Sequence, residues 1–221
     1  GVIAESRRVP GWQDRAVDEF HRILGGDAAL LPDPARLRGD IGDGTTAARL
    51  WRDAMARPAA PPELSHADFI GEFIAADWAA DARRAVIAHA GELAYAIVSL
   101  QHHRVVRPGM AGLLAWCRDA GLPVAVVSNA QSGQVHRDIL AREGLAGFFG
   151  AQIYSDEHGV RKPNPRMIGL GAEALGVPVS RCWYVGDHYD RDVLCGRRAG
   201  VGAAVLMSTE HLAQRPFRPP V

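Results

Sequence analysis

The chain has 221 residues, of which 48% are hydrophobic and 23% are charged, and these proportions are ordinary for a globular protein with a sizeable core. Lys+Arg and Asp+Glu both number 25, so the formal net charge is zero and provides no field for gathering nucleic acid or an anionic membrane surface. Apolar runs such as residues 124–127 are too short to span a bilayer, so we expect neither nucleic acid nor membrane as a partner.

Residues before position 104 show helical patterning almost throughout. Three stretches share apolar residues at helical spacing: residues 12–24, 47–56 and 65–93. Thr45 or Thr46 is predicted to cap the second stretch, with residues 40–46 forming a loop before it. Ser65 with Asp68 resembles a capping box at the start of the third.

After residue 104 the pattern alternates between helix and buried strand. The predicted strands are short apolar runs at residues 123–128, 151–155, 182–185 and 203–207. The predicted helices lie between them, at residues 108–120, 132–144, 165–175 and 190–199, and Ser132 is predicted to cap the second. This alternation implies right-handed crossovers, so we predict an α/β fold with a Rossmann-like parallel sheet covered on both faces. Pro-rich residues 216–220 are predicted to form a frayed or docked tail.

Polar side chains follow three successive predicted strands. Ser128 and Asn129 end one strand, Lys162 lies in the loop after the next, and Asp187 and Asp192 follow the third. Ligands bind beyond the carboxyl ends of such strands. A hydroxyl with backbone N–H groups holds phosphoryl oxygens, a lysine neutralises their charge, and two carboxylates suit Mg²⁺.

Each of these signals also has an ordinary structural explanation. Ser128 and Asn129 suit a strand-to-loop turn, and Lys162 suits an exposed surface. Asp187 and Asp192 suit helix capping. Their order at three successive strand ends favours a shared chemical role.

These segments resemble the motifs of the haloacid dehalogenase superfamily. Residues 126–129 are similar to its second motif, Lys162 in Lys-Pro-Asn-Pro to its third, and residues 185–193 to its fourth. The helical first half matches in position the helical cap of the phosphoglycolate-phosphatase-like branch. The resemblance implies three segments: residues 1–10 as the start of the core, 11–100 as the cap domain and 101–221 as the α/β core.

The superfamily's first motif is an Asp-x-Asp stretch that supplies the nucleophile and a general acid and base. Residues 1–6, Gly-Val-Ile-Ala-Glu-Ser, are similar to the sequence that follows those aspartates in this branch. Either the natural protein carries the motif upstream of Gly1, or it begins at Gly1 and is catalytically inactive. Loss of a central strand would orphan backbone groups at about 1–3 kcal/mol each, against a total stability of about 5–15 kcal/mol, which favours the first interpretation.

The resemblance implies a Mg²⁺-dependent phosphohydrolase that acts on a small phosphorylated metabolite through an aspartyl-phosphate. In that reading Ser128 and Lys162 are catalytic, and Asn129 binds the substrate. Asp187 is a metal ligand, and Asp192 is either a ligand through water or a support for Lys162 and its loop. His188 follows the metal acid and could face substrate, although an exposed loop histidine is the favoured interpretation.

The predicted loop at residues 40–46 is the best candidate for a substrate-facing segment of the cap. Thr45 and Arg49 offer donors to a substrate, and an ordinary helix-capping turn is an equally good explanation.

Other functions remain open. A haloacid dehalogenase needs no Mg²⁺, so the Asp187/Asp192 arrangement argues for phosphate, while a phosphomutase is compatible with the sequence. A phosphonatase requires a cap lysine, and residues 7–100 contain none. A non-catalytic anion-binding or scaffold protein is the alternative from another class. We expect a monomer or homodimer.

The three cysteines, Cys117, Cys182 and Cys195, form no CxxC pair and lie within apolar stretches. This pattern favours reduced core thiols over a metal site or disulfides, and hence a cytoplasmic location.

Overall fold

A computed structural model describes residues 1–207 of the chain. These residues divide into two compact units, which we call the strand-bearing unit (residues 1–6, 55–63 and 104 onward) and the helical unit (residues 7–54 and 64–103). The predicted domain boundaries after residues 10 and 100 stay a prediction. One feature that the sequence did not indicate is that residues 55–63 belong with the strands.

The helical unit consists of five α-helices and two short helices of other types. The α-helices are α1 (Trp12–Leu24), α2 (Pro34–Ala54), α3 (His66–Asp68), α4 (Ala80–Ala88) and α5 (Ala90–Gln101). A 3₁₀-helix, Gly25–Leu30, follows α1, and a π-helix, Phe69–Ile74, continues α3. Ser65 Oγ accepts a hydrogen bond from the Asp68 backbone N–H at 3.0 Å, which confirms the predicted cap. The core contains large side chains from several of these helices, including Trp12, Phe20 and Phe69.

Helix α2 corrects the prediction of a loop at residues 40–46 and of a helix over 47–56. The helix runs without interruption through that stretch, so neither Thr45 nor Thr46 is a helix cap. A Cβ at Gly44 would lie 2.3 Å from the Phe73 carbonyl oxygen, so this glycine permits close approach of α2 to the π-helix. The glycine-rich pattern therefore reflects packing between helices and not a loop.

Two strands lie in segments whose pattern did not predict them. Strand β1 (Ala4–Arg8) pairs with β2 (His102–Val106) in a two-stranded sheet. The Val9 N–H donates to the Gln101 carbonyl, and the Arg107 N–H donates to the Ile3 carbonyl, each at 2.9 Å. Because β1 is largely polar and exposed, it has no alternating apolar pattern from which to predict a strand.

The strand-bearing unit contains four strands within two residues of the predicted positions. They are β3 (Val124–Ser128), β4 (Phe149–Tyr154), β5 (Trp183–Gly186) and β6 (Ala203–Leu206). Its α-helices are α6 (Met110–Asp119), α7 (Gly133–Arg142), α8 (Ser155–His158), α9 (Arg166–Ala174) and α10 (Leu194–Ala199). Two 3₁₀-helices, Ala146–Phe148 and Val179–Arg181, and a π-helix, Tyr189–Val193, complete the unit as described. Ser132 occupies the N-cap position of α7 as predicted, but its side chain makes no capping hydrogen bond.

The four strands pair in two separate parallel sheets. Strands β3 and β4 pair with Val127 opposite Ile153, and β5 and β6 pair with Val185 opposite Val205. The predicted parallel direction is confirmed, and within residues 1–207 β3 and β5 share no ladder, so the parallel strands form two separate pairs. On β5, Trp183 is 76% exposed and Val185 is 44% exposed, whereas a central strand would bury such side chains.

Across the described residues 1–207, no helix combines the length and apolar character needed to cross a bilayer. Cys117, Cys182 and Cys195 are all free thiols. The predicted tail at residues 216–220 lies outside the described residues.

Candidate active site at the strand ends

Lys162 is the centre of a buried polar network in the strand-bearing unit. Its ammonium donates to the Val127 carbonyl at 3.0 Å, the Tyr184 hydroxyl at 2.6 Å and Asp192 Oδ1 at 2.7 Å. These three bonds account for all three donors of the group. Burial alone would lower the pKa of Lys162, but the charges and hydrogen bonds of Asp192 and Tyr184 raise it above its usual value. Lys162 is therefore a fixed, permanently charged cation.

The main chain of Lys162 is held by the side chain of Asn129. Asn129 Oδ1 accepts from the Lys162 N–H at 2.7 Å, and Asn129 Nδ2 donates to the Lys162 carbonyl at 3.0 Å. This reciprocal pair joins the loop after β3 to the loop after β4. The predicted substrate-binding role of Asn129 can rest only on its backbone, because its side-chain amide is already occupied.

Asp192 connects Lys162 to the loop after β5. Its Oδ1 accepts from Lys162, and its Oδ2 accepts from the backbone N–H groups of Asp187 at 3.0 Å and His188 at 2.9 Å. Burial by itself would raise the pKa of Asp192, but the charge and hydrogen bond of Lys162 lower it. A Cβ at Gly186 would lie 2.1 Å from that of Asp192, so the close turn requires glycine here.

Both carboxylate oxygens of Asp187 lie close to nitrogen atoms. Oδ1 lies 3.1 Å from His188 Nδ1, and Oδ2 lies 3.2 Å from the amino group of Gly1. Burial opposes ionisation of Asp187, but the hydrogen bond and charge of His188 lower its pKa. The prediction that His188 is an exposed loop histidine is wrong, since only 13% of its side chain is exposed.

Ser128 ends β3 directly before Asn129, and its hydroxyl makes one long contact, 3.4 Å, to the Asn129 carbonyl. The structure thus brings five of the predicted site residues into one connected region: Ser128, Asn129, Lys162, Asp187 and Asp192.

A divalent cation fits the chemistry of this region. Ligand atoms of Asp187, His188 and Asp192 lie within 4.8 Å of one another. Carboxylate oxygens are the ligands that Mg²⁺ prefers. Both oxygens of Asp192 accept hydrogen bonds from Lys162 and from the Asp187 and His188 backbone, which are the contacts of a residue that supports Lys162 and its neighbouring loop.

Tyr184 belongs to the network although its sequence position did not single it out. Its hydroxyl contacts Lys162, the Val127 carbonyl at 3.2 Å and Asp192 Oδ1 at 3.3 Å. Burial raises the pKa of Tyr184, so the hydroxyl stays protonated. The sequence feature that could have identified Tyr184 is a tyrosine within a predicted apolar strand. A buried tyrosine hydroxyl needs a hydrogen-bond partner, so such a residue points to a polar neighbour.

Thr45 and Arg49, the other predicted substrate-binding residues, lie on α2 of the helical unit. The Thr45 hydroxyl is buried and has no hydrogen-bond partner among the described residues. Arg49 is exposed and pairs with Asp53 at 3.2 Å, one helical turn away. Their role in binding stays a prediction. The loop on which that prediction was based is part of helix α2.

Comparison with known proteins provides the decisive observation. The family profile described as haloacid dehalogenase-like hydrolase matches residues 29–200, which is well over half of the chain. The chain belongs to this hydrolase family. The recognition of the superfamily from the three motifs is confirmed, and so is the α/β fold class.

Individual haloacid dehalogenase-like relatives agree with this assignment. A phosphoserine phosphatase of Thermus thermophilus is 34% identical over 114 residues, covering 52% of this chain and 45% of the relative. A phosphoglycolate phosphatase of Pseudomonas savastanoi is 32% identical over 113 residues, covering 51% of this chain and 40% of the relative. The chain therefore spans less than half the length of these curated relatives.

The fold is similar to that of CbbY from Rhodobacter sphaeroides, solved in complex with phosphate. The TM-score is 0.54 at 20% identity, covering 96% of this chain and 85% of that one. A likeness at this identity supports the fold of the haloacid dehalogenase-like hydrolases and no more.

Proposed function

We propose that the natural protein is a phosphohydrolase that acts on a small phosphate monoester through an aspartyl-phosphate. The observation that carries this proposal is the network in which Lys162 bonds to Asp192, Asn129 and Tyr184 at the ends of β3 and β5. Catalysis of phosphoryl transfer depends mainly on fixed positive charge and on positioning of the reacting groups, and this network supplies a fixed charge in a fixed position. The two phosphatases described above are named for two different small phosphorylated compounds.

The nucleophile is proposed to come from residues upstream of Gly1. Strands β3 and β5 share no ladder within residues 1–207, and a parallel strand paired with both would complete one sheet. A residue joined to Gly1 would lie beside Asp187, because the Gly1 amino group is 3.2 Å from its carboxylate. An aspartate at the carboxyl end of that strand would therefore lie near the carboxylates of Asp187 and Asp192.

The roles of this chain's own residues follow from the geometry. The Ser128 hydroxyl and the backbone N–H groups after β3 would hold the phosphoryl oxygens. Lys162 would neutralise their charge, and to contact them directly it must exchange one of its three present partners. Asp187 would hold Mg²⁺, which when bound adds positive charge at the phosphoryl group. Asp192 would keep Lys162 and the Asp187 backbone in place.

The test combines determination of the natural N-terminal sequence with an assay of phosphatase turnover. Intact mass and N-terminal sequencing of the natural protein show whether an Asp-x-Asp stretch precedes Gly1. Turnover of p-nitrophenyl phosphate is then measured with Mg²⁺ and with chelator, for the wild type and for Asp187→Ala. We expect turnover that needs Mg²⁺ and is lost in the variant. Turnover unaffected by Asp187→Ala would contradict the assigned site.

A non-catalytic anion-binding protein is the second candidate, favoured by one observation. All three donors of Lys162 are satisfied within the protein, as expected for a purely structural lysine. That function predicts saturable binding of inorganic phosphate without turnover of p-nitrophenyl phosphate. Cytoplasmic location and a monomeric or homodimeric state stay predictions.

A further inference from the structure

Residues 55–63 form a strap over the loop that carries Lys162, and both segments belong to the strand-bearing unit. The Glu63 N–H donates to the Gly159 carbonyl at 3.0 Å, and the Arg161 N–H donates to the Pro61 carbonyl at 3.3 Å. Pro62 and Val160 form an antiparallel bridge between these bonds. The strap is thus paired with the residues immediately before Lys162.

A buried ion pair stabilises the backbone pairing between the strap and the segment before Lys162. Glu63 Oε1 lies 2.6 Å from Arg161 Nη1, and the exposed fractions of the two side chains are 2% and 1%. A charge pair so completely removed from water persists only when its geometry is well satisfied, because either charge alone would be strongly unfavourable there. Arg161 is therefore fixed, and Lys162 follows it directly in the chain.

The second oxygen of Glu63 reaches the other loop of the candidate site. Glu63 Oε2 accepts from the Ser155 hydroxyl at 2.5 Å, and Ser155 Oγ accepts from the Ala130 N–H at 2.9 Å. Ala130 follows Asn129, whose side chain holds the Lys162 main chain. One carboxylate therefore supports both the loop after β3 and the loop after β4.

We infer that Glu63, acting through Arg161 and Ser155, is a positioning residue for Lys162 and Asn129. It contacts neither directly, and no motif in the sequence marks it. Glu63 is also the last residue of the strand-bearing unit before the chain enters the helical unit. The inference rests on the proposed function only for its effect on catalysis, since the positioning itself is independent of turnover.

Amide hydrogen exchange in the full-length protein tests the positioning without any assay of activity. We expect Glu63→Ala to accelerate exchange of the Lys162 and Ala130 amides by about tenfold or more, because their acceptors lose support. Amides of helix α9 serve as internal references. Glu157→Ala is the matched control, since Glu157 also pairs with an arginine, Arg137, but on α8 and α7. Equal exchange at Lys162 and Ala130 in wild type and Glu63→Ala overturns the inference.

Steady-state kinetics test the catalytic consequence. For p-nitrophenyl phosphate, corrected for the folded fraction, Glu63→Ala should lower kcat by about tenfold or more with little change in KM. Glu63→Gln keeps the side chain's shape and an acceptor, so it should recover part of kcat. A variant that melts at lower temperature but retains the wild-type kcat would assign Glu63 a structural role only. Absence of turnover in the wild type would instead count against the proposed function, and the exchange result would still decide the positioning.

Discussion

Asn129 and Lys162 are joined by two reciprocal hydrogen bonds of 2.7 and 3.0 Å between the side-chain amide of one and the main chain of the other. Because the amide offers both a donor and an acceptor in one plane, it replaces the ladder bonds that a neighbouring strand would make. The position of the lysine therefore depends on a residue in a different loop.

Replacing Asn129 by alanine should detach the lysine loop. The lost bonds leave backbone groups of Lys162 unpaired, which should cost about 1–3 kcal/mol of unfolding free energy. We expect kcat for p-nitrophenyl phosphate to fall by about 10- to 100-fold. Urea unfolding and steady-state kinetics measure the two effects. Gln134→Ala, on the exposed face of α7, is the control, and equal kcat in both variants would contradict the prediction.

Replacing Asp192 by asparagine should leave the buried Lys162 ammonium without its counter-charge. Since the two side chains are 11% and 5% exposed, we expect a loss of about 3–5 kcal/mol in urea unfolding. Asp81→Asn removes an exposed partner of Arg84 and should cost about 0–1 kcal/mol. Adding Lys162→Met to Asp192→Asn should restore part of the stability, and strict additivity of the two losses would count against the coupling.

His136 should make the protein less stable in mild acid. Burial, followed by the charge of Arg104, lowers the pKa of this histidine to about 4, so the folded state keeps it neutral. The unfolded chain gains a proton as the pH falls below about 6.5, and the resulting loss should reach about 2 kcal/mol at pH 5. His136→Phe keeps the stacking on Tyr154 without a titrating group. Its stability should change less between pH 7 and pH 5, and parallel pH curves for the two proteins would refute the assignment.

Two glycines of α2 should respond to alanine in opposite directions. A Cβ at Gly44 would lie 2.3 Å from the Phe73 carbonyl oxygen, whereas nothing lies within 4 Å of one at Gly39. Gly44→Ala should destabilise by about 1–3 kcal/mol or more through overpacking. Gly39→Ala should stabilise by about 0.5–1 kcal/mol, because alanine is the better helix former. Thermal unfolding measures both, and a neutral Gly44→Ala would show that α2 has room to move.

The sequence predicted those parts of the site whose residues follow predicted strands. Ser128, Lys162 and Asp187 were recognisable because each follows a strongly apolar run at the edge where ligands bind. The contacts of Asn129 with Lys162, and of Glu63 with Arg161, join residues 33 and 98 positions apart. No local pattern encodes such pairs, because they depend on how the loops pack.

The errors in the fold prediction also have specific causes. Glycines at positions 42 and 44 are typical of a loop, but here the missing side chain of Gly44 lets α2 approach the π-helix. Strand β1 is polar and exposed, so hydrophobic periodicity could not reveal it. In both cases a tertiary contact outweighed the local preference.

Within residues 1–207, strand β5 pairs on one side only, with β6, and the side chains of Trp183 and Val185 are exposed. A strand edge without a partner, flanked by large apolar side chains, is a template for association with a second chain. A preparation that lacks the proposed upstream strand would therefore be prone to aggregate, and loss of its turnover would report insolubility as readily as a lost nucleophile. A point substitution of the proposed aspartate, in a protein that keeps the strand, separates the two.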